Sequence, residues 1–373
     1  MTTLNVVLDE MLSDTPSGIS LYTAELARAL IDYAPSGCFV EGIVASSPES
    51  DYLTIAERLP ELHGLFKSAL AHRDLRAAWQ HGFTPVPSGM IHAPSLFAPL
   101  RNHDRVNTRG SQIAVTMHNV TAWSHPELLT SREVSWTKAM ANRALKYADA
   151  VVVPTHAIAA QLSEFVPFGE RVRVIGAAVR SSLALPADAD GRADRLELPE
   201  QFLLALATGN SRSALTPLFS ALAIAKTTLP LLLIGDDPQV QALLAGASLG
   251  EGRVRMLGTL SDADLAVTLQ RATLFMHPSV VDGFGMPMLE AFRFGTPVIH
   301  SDAPALVEVA GDAGYAVAAS DAEAYPAGLA EAIDRVLGDD SLRETLGILG
   351  ADRAKLFTWR ATAEGVWQLH ADL

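Results

Sequence analysis

Cysteine is almost missing from this sequence of 373 residues, which has Cys38 alone. A disulfide framework is excluded, and a reducing, cytoplasmic setting is expected. Cations are also scarce, with 28 Lys+Arg against 42 Asp+Glu and a net charge of -14. The deficit is uneven. Residues 1–180 carry 15 cations against 17 acids, a balance of -2, and the rest carries 13 against 25, a balance of -12. Such a chain offers no basic nucleic-acid surface, so no nucleic-acid partner is expected. The near-neutral first part is where peripheral contact with an anionic membrane face is tolerable. No apolar run approaches the roughly 20 residues of a membrane span. The start, Met1-Thr-Thr-Leu-Asn-Val-Val-Leu-Asp9, lacks a basic segment before its apolar run and reads as a strand rather than a secretion signal. Of 11 histidines none forms the i, i+4 pair of a zinc helix, and no Gly-x-Ser-x-Gly elbow occurs. Cys38 opens an early strand and suits a buried structural thiol better than a nucleophile.

Hydrophobic residues are plentiful at 49%, enough to bury large cores. Short Val-, Ile- and Leu-rich runs recur, each followed by a helical pattern. Strands are predicted at residues 4–8, 40–45, 90–92, 113–117, 150–153 and 171–175, then at 202–207, 230–234, 254–257, 273–277 and 298–300. Runs apolar on both faces and alternating with helices indicate parallel sheets covered on both sides. Two such sets imply an α/β protein of two doubly wound, Rossmann-like domains. The polar stretch from Pro186 to Asp194 suits a linker or a surface loop. The expected division is residues 1–180, a linker over 181–197, a second domain over 198–356, and a closing helical segment over 357–373.

The most telling stretch is Asp282-Gly-Phe-Gly-Met-Pro-Met-Leu-Glu290, which follows the apolar run from Thr273 to Ser279 and precedes Ala291-Phe-Arg-Phe-Gly295. It reads as strand, glycine turn, helix and glycine stop. Gly283 and Gly285 let the backbone approach a ligand, and a helix starting near Met286 offers free N–H groups to an anion. The two acids, Asp282 and Glu290, stand with seven residues between them. A carboxylate beside a phosphate-binding turn suits the hydroxyls of a ribose or sugar.

This segment, with the run through Gly311-Asp-Ala-Gly314, resembles the donor-site signature of the retaining glycosyltransferases of family four, which have the GT-B fold. Val115-Thr-Met-His118-Asn, His125-Pro-Glu127, Tyr147-Ala-Asp149, Ile91-His92-Ala-Pro94 and Ser17-Gly18-Ile19 resemble further motifs of its mannosyl- and rhamnosyl-transferase branch. The resemblance implies two Rossmann-like domains with a crevice between them and a last helix that returns to the first. It implies transfer of a hexose from a nucleotide diphosphate sugar to a glycan or lipid-linked hydroxyl, with no metal and no cofactor. On that scheme Glu290 holds the ribose and Asp282 faces the donor sugar. Gly283, Phe284, Gly285 and Met286 line the donor, with Gly209 and Arg212 at the diphosphate. His118 contacts the sugar, and His118, Arg212 and Asp282 form the catalytic set. Ser17, Gly18, Tyr22 and His92 lie on the acceptor side.

Four positions depart from the family pattern. Asp282 shortens the usual Glu, Asn119 replaces Asp, Ser213 stands where Lys is expected, and Ala214 stands where Asn is expected. The loss of a phosphate cation is the most consequential, since the leaving group gains negative charge. Lys226 is one candidate substitute. The departures keep two rivals open: a GT-B protein that binds nucleotide sugar or a partner without turnover, and a sugar-nucleotide epimerase of the same fold.

Overall fold

The doubly apolar runs become the strands of two parallel sheets. The computed structural model describes residues 2–13, 17–83, 86–104, 110–207, 212–247 and 249–373, with the backbone alone at Arg212 and Ser213. Gly209 lies outside them. The chain divides into two units, residues 1–177 with 358–373, and residues 178–357.

The first unit runs β1 (Thr2–Val7), α1 (Gly18–Asp32), β2 (Cys38–Ser46), α2 (Glu49–Arg58), β3 (Gly64–Ala71), α3 (His72–His81), β4 (Met90–Ala93), β5 (Gln112–Thr116), α4 (Thr121–Ser124), α5 (Ser131–Tyr147), β6 (Ala150–Val153), α6 (His156–Phe165) and β7 (Val172–Val174). Its sheet has the order β3-β2-β1-β4-β5-β6-β7, and neighbours such as Leu4 and Val40 pair in parallel register. The second unit runs α7 (Ala189–Arg195), β8 (Leu203–Leu206), α8 (Arg212–Ile224), β9 (Leu231–Ile234), α9 (Pro238–Gly246), β10 (Val254–Gly258), α10 (Asp262–Arg271), β11 (Leu274–His277), α11 (Met286–Arg293), β12 (Val298–Ser301), α12 (Pro304–Ala310), β13 (Tyr315–Val317), α13 (Tyr325–Leu337) and α14 (Asp340–Ala354). Its sheet order is β10-β9-β8-β11-β12-β13, again parallel. Leu203, Leu231, Met276 and Ile299 form the middle of its core with Phe219 and Leu329 from the helices. In both sheets the order reverses beside the first strand of the unit, which is the arrangement that leaves a ligand crevice at the carboxyl edge.

The last helix, α15 (Trp359–Asp372), belongs to the first unit. Trp367 Nε1 donates to Leu30 O at 3.1 Å, and Thr362 Oγ1 donates to Gly176 O at 2.9 Å.

Two features differ from expectation. Strands β3 and β13 were not predicted. Both are edge strands with partly exposed residues, and β3 carries Lys67 and Ser68 in mid-run, so neither shows the doubly apolar signature. The stretch 181–197 is not a free linker. Leu183 is fully buried, and α7 packs on α10 through Arg192 Nη1, which donates to Asp264 Oδ1 at 2.8 Å. Burial of one leucine and pairing of the arginines outweigh the polar composition that suggested mobility. Among the described residues no helix is long and apolar enough to cross a membrane.

Candidate donor site

Strand β11 ends at His277, and the chain turns into α11 at the carboxyl edge of the second sheet. Asp282 organises that turn. Its Oδ1 accepts the N–H of Phe284 at 3.0 Å and of Gly285 at 2.8 Å, and its Oδ2 lies 2.9 Å from His277 Nε2. Burial opposes its charge, but the His277 contact and the two amides prevail, and the carboxyl titrates below its ordinary range. Gly285 sits at φ 75°, and a Cβ there would lie 2.5 Å from Leu306 Cδ2. Only glycine fits both restrictions. Phe284 anchors the loop by standing edge-on to Phe357, with ring centroids 5.6 Å apart.

This geometry refines two expectations. Both Asp282 oxygens already accept hydrogen bonds, from His277 and from two amides of the turn, so Asp282 organises the turn whatever else it faces. The helix start also offers fewer donors than a glycine turn suggests. Phe284 and Gly285 spend their amides on Asp282, Met288 and Leu289 donate to Gly285 O, and Pro287 has no N–H. Met286 N–H remains as the first-turn amide, together with the positive end of the helix dipole.

Glu290 is the fifth residue of α11 and is 3% exposed. Its Oε1 accepts from Arg180 Nε at 2.7 Å, whereas Oε2 has no partner among the described residues. Arg180 Nη1 donates to Asp262 Oδ1 at 2.9 Å, and Ser182 Oγ donates to Asp262 Oδ2. Burial raises the Glu290 carboxyl, Arg180 pulls it back, and the balance stays above the ordinary value. Burial also works against the Arg180 charge, but Glu290 and Asp262 more than compensate. Glu290 is therefore already half engaged, not a fully open acceptor. Arg180, Asp262 and Ser182 were invisible to sequence reasoning, because Arg180 and Glu290 are 110 positions apart. The acidic balance of the second half makes pairing of its arginines expected, but does not say with whom.

The diphosphate cations stand as follows. Gly209 is not described, and Arg212 is placed only as the first residue of α8, its side chain undescribed. Lys226 fails as a substitute. It lies beyond the far end of α8, a helix of 13 residues, and a rise of about 1.5 Å per residue puts it roughly 20 Å from the start.

In the first unit, His118 follows β5, and its Nε2 lies 2.7 Å from Pro94 O. A carbonyl only accepts, so Nε2 carries the proton and Nδ1 is left as the acceptor. Burial lowers the pKa of this imidazole and keeps it neutral. Its ring stands edge-on to Tyr22, with centroids 4.7 Å apart. Asn119 Oδ1 accepts from Thr121 N, so the residue that replaces the family Asp shapes the turn into α4.

The acceptor-side set splits. Ser17 caps α1 through a reciprocal box with Ser20, and both Ser17 and Gly18 are exposed, with open space around Gly18. Tyr22 and His92 are core residues, and here the structure corrects the expectation. Tyr22 is 3% exposed, packed between His118 and Trp359, with its hydroxyl pushed up to about 12 by burial. His92 lies on the interior strand β4, completely buried, with Nδ1 3.4 Å from His370 Nε2 of α15. A residue in the middle of a central strand covered by a helix cannot face an acceptor.

Two Rossmann-like parallel sheets, with a glycine-capped helix and a buried Glu after the fourth strand of the second, define the GT-B class. Residues 16–182 match the family described as Glycosyltransferase Family 4, and residues 195–352 match Glycosyl transferases group 1. The chain belongs to the family-four glycosyltransferases. It is 38% identical over 135 residues to O-antigen chain mannosyltransferase B of Escherichia coli, covering 35% of this chain and 34% of that one. It is 31% identical over 143 residues to phosphatidyl-myo-inositol mannosyltransferase of Mycobacterium leprae, covering 38% and 37%. The matches thus span about a third of these curated relatives. Among solved structures, sucrose-phosphate synthase of Thermosynechococcus elongatus superposes with a TM-score of 0.75 at 22% identity, covering 100% of this chain and 99% of that one. HepE of Anabaena in complex with UDP-glucose superposes with a TM-score of 0.73 at 17% identity, covering 100% of both. At these identities the structures speak for the fold.

Proposed function

We propose that this protein transfers a hexose from a nucleotide diphosphate sugar to a hydroxyl of a glycan or lipid-linked acceptor, with retention. The observation that carries the reading is the α11 start: a left-handed glycine, a loop pinned by Asp282, and a buried carboxylate at Glu290 with one free oxygen. A helix terminus suits a phosphate, and a carboxylate one turn further suits vicinal hydroxyls. Mannose is the favoured hexose, because the relatives from Escherichia coli and Mycobacterium leprae are named mannosyltransferases.

In the reaction proposed, the bond from the anomeric carbon to the phosphate oxygen breaks, and the nucleoside diphosphate leaves with the electron pair. The acceptor oxygen bonds to the anomeric carbon on the same face, and its proton passes to the leaving phosphate. No protein nucleophile takes part. His118 Nδ1, fixed as an acceptor by the Pro94 contact, suits a sugar hydroxyl. Arg212 and the α11 dipole are assigned to the growing phosphate charge. Binding without turnover remains a second reading, motivated by Ser213 and Ala214.

The test is a panel of nucleotide sugars with glycan and polyprenyl-phosphate acceptors. Release of nucleoside diphosphate is measured, and the anomer of the product is read by NMR. Transfer with retained configuration supports the proposal. Tight binding without release supports the second reading, and an inverted product rejects the retaining mechanism.

A further inference from the structure

The acid one turn into α11 does not stand alone. Ser182, Asp262, Arg180 and Glu290 form a continuous chain of polar contacts within the second unit, ending at one free carboxylate oxygen. We infer that Arg180 is a positioning residue for nucleotide recognition, holding Glu290 by Oε1 so that Oε2 is presented to the ribose hydroxyls. The inference rests on the donor-site reading above.

The geometry supports it in three ways. Arg180 Nε meets Oε1 at 2.7 Å and removes the rotational freedom that a glutamate has with both oxygens unbound. Asp262 takes a second face of the same planar guanidinium at 2.9 Å, so the arginine is itself fixed, and Ser182 fixes Asp262. Ser182, Arg180 and Asp262 reach Glu290 from outside α11, so the device is independent of the glycine turn. Chemistry adds a fourth point. Two vicinal hydroxyls are donors, and an ionised carboxylate accepts from them more strongly than a protonated one. Burial favours the protonated acid at Glu290, Asp262 adds to that, and Arg180 is the group that opposes both. Without Arg180 the carboxyl would take up a proton at higher pH and lose acceptor capacity.

The experiment is calorimetric titration of UDP and GDP into the full chain between pH 5.5 and 8.5. Wild type is compared with Arg180→Gln, Arg180→Lys and Glu290→Gln, after thermal melts establish that each is folded. Taking each variant as a ratio to wild type at the same pH cancels the ionisation of the nucleotide phosphate. The expected result for Arg180→Gln is a loss of about tenfold or more near pH 6, roughly one charge-assisted bond. The loss should shrink as pH rises and Glu290 ionises. Arg180→Lys should restore much of the affinity with a flat ratio. Wild-type affinity for Arg180→Gln at every pH overturns the inference. So does a loss that is equal at every pH and not rescued by Lys, which would make Arg180 a direct ligand contact. Unchanged affinity in folded Glu290→Gln rejects the ribose assignment itself, whatever Arg180 does.

Discussion

Replacing Asp282 by Ala separates a loop organiser from an acid that faces sugar. The substitution strands three donors: the amides of Phe284 and Gly285 and the His277 ring. Hydrogen bonds to a charged group are worth about 1.5–3 kcal/mol each, and a stranded buried donor costs about 1–3 kcal/mol. The Asp282 side chain is 23% exposed, so water replaces part of the loss. A net local cost of about 2–4 kcal/mol is reasonable, a roughly 30- to 1,000-fold change in the opening equilibrium of the turn. A chain of two units does not melt in one step, so a global Tm dilutes the effect. Amide hydrogen exchange across residues 283–290 reads it directly, with the first turn of α11 losing protection and β8 unchanged. Asp282→Asn keeps an acceptor at Oδ1 for both amides, and its Nδ2 can donate to His277 once that ring shifts its proton to Nδ1. It should retain most of the protection and most nucleotide affinity. The native carboxylate is depressed, so its contribution is complete above the ordinary Asp pKa and is lost as pH falls through the lower folded value. Between pH 5 and 8 the contribution of the Asp282 carboxyl's own ionisation should therefore be constant. Wild-type exchange rates in Asp282→Ala would refute this reasoning. Full exchange protection in Asp282→Asn with abolished transfer would restore the direct role with the sugar.

Other outcomes are equally open to measurement. Gly314→Ala places a Cβ 2.5 Å from His300 Cδ2 in a buried ring site, so thermal stability of the second unit should fall by about 1–3 kcal/mol. His370 is lowered to about 4 by burial, so it is neutral when folded and charged when unfolded below its ordinary value. Protonation of His370 alone should cost the first unit about 3 kcal/mol as pH falls from 6.5 to 4, a part of the slope that His370→Gln should remove in calorimetric scans. Ser213→Lys should preserve or raise transfer in a coupled assay for released nucleoside diphosphate, and Arg212→Ala should abolish it. Activity that survives Arg212→Ala would show that this loop does not hold the diphosphate.

Much of the architecture was legible because parallel sheets write themselves into sequence as doubly apolar runs. The eleven predicted strands each overlap a strand of the structure, and the two omitted ones are edge strands where that signal fades. The α11 turn was legible for a similar reason. A left-handed residue at 285 demands glycine, and the demand survives in the sequence. Partners were not legible. Nothing in Asp282-Gly-Phe-Gly says that His277, five residues earlier, would claim one carboxylate oxygen while the loop's own amides claim the other. Tyr22 and His92 were misplaced because the family motifs they resemble carried them to the acceptor side. Their neighbours on α15 lie more than 250 positions away and turn both into core.

If a diphosphate binds as proposed, the distribution of charge makes its cation the critical group. The second unit is strongly acidic, and Arg180, which pairs with Glu290, is shared between two carboxylates. Arg180, Glu290 and Asp262 together carry one net negative charge, so the group assists hydroxyl recognition but contributes little positive potential to a phosphate. The α11 terminus supplies only about half a charge, and two of the nearby amides already serve Asp282. Releasing Arg180 toward the phosphate would leave a buried glutamate unpaired, which is expensive by several kcal/mol. On the proposed reading, a ribose acid at Glu290 and a phosphate would compete for the same arginine. On the proposed donor reading, Arg180 is held by the acid and the phosphate charge is left to the start of α8, which makes residue 213 the position to test for turnover.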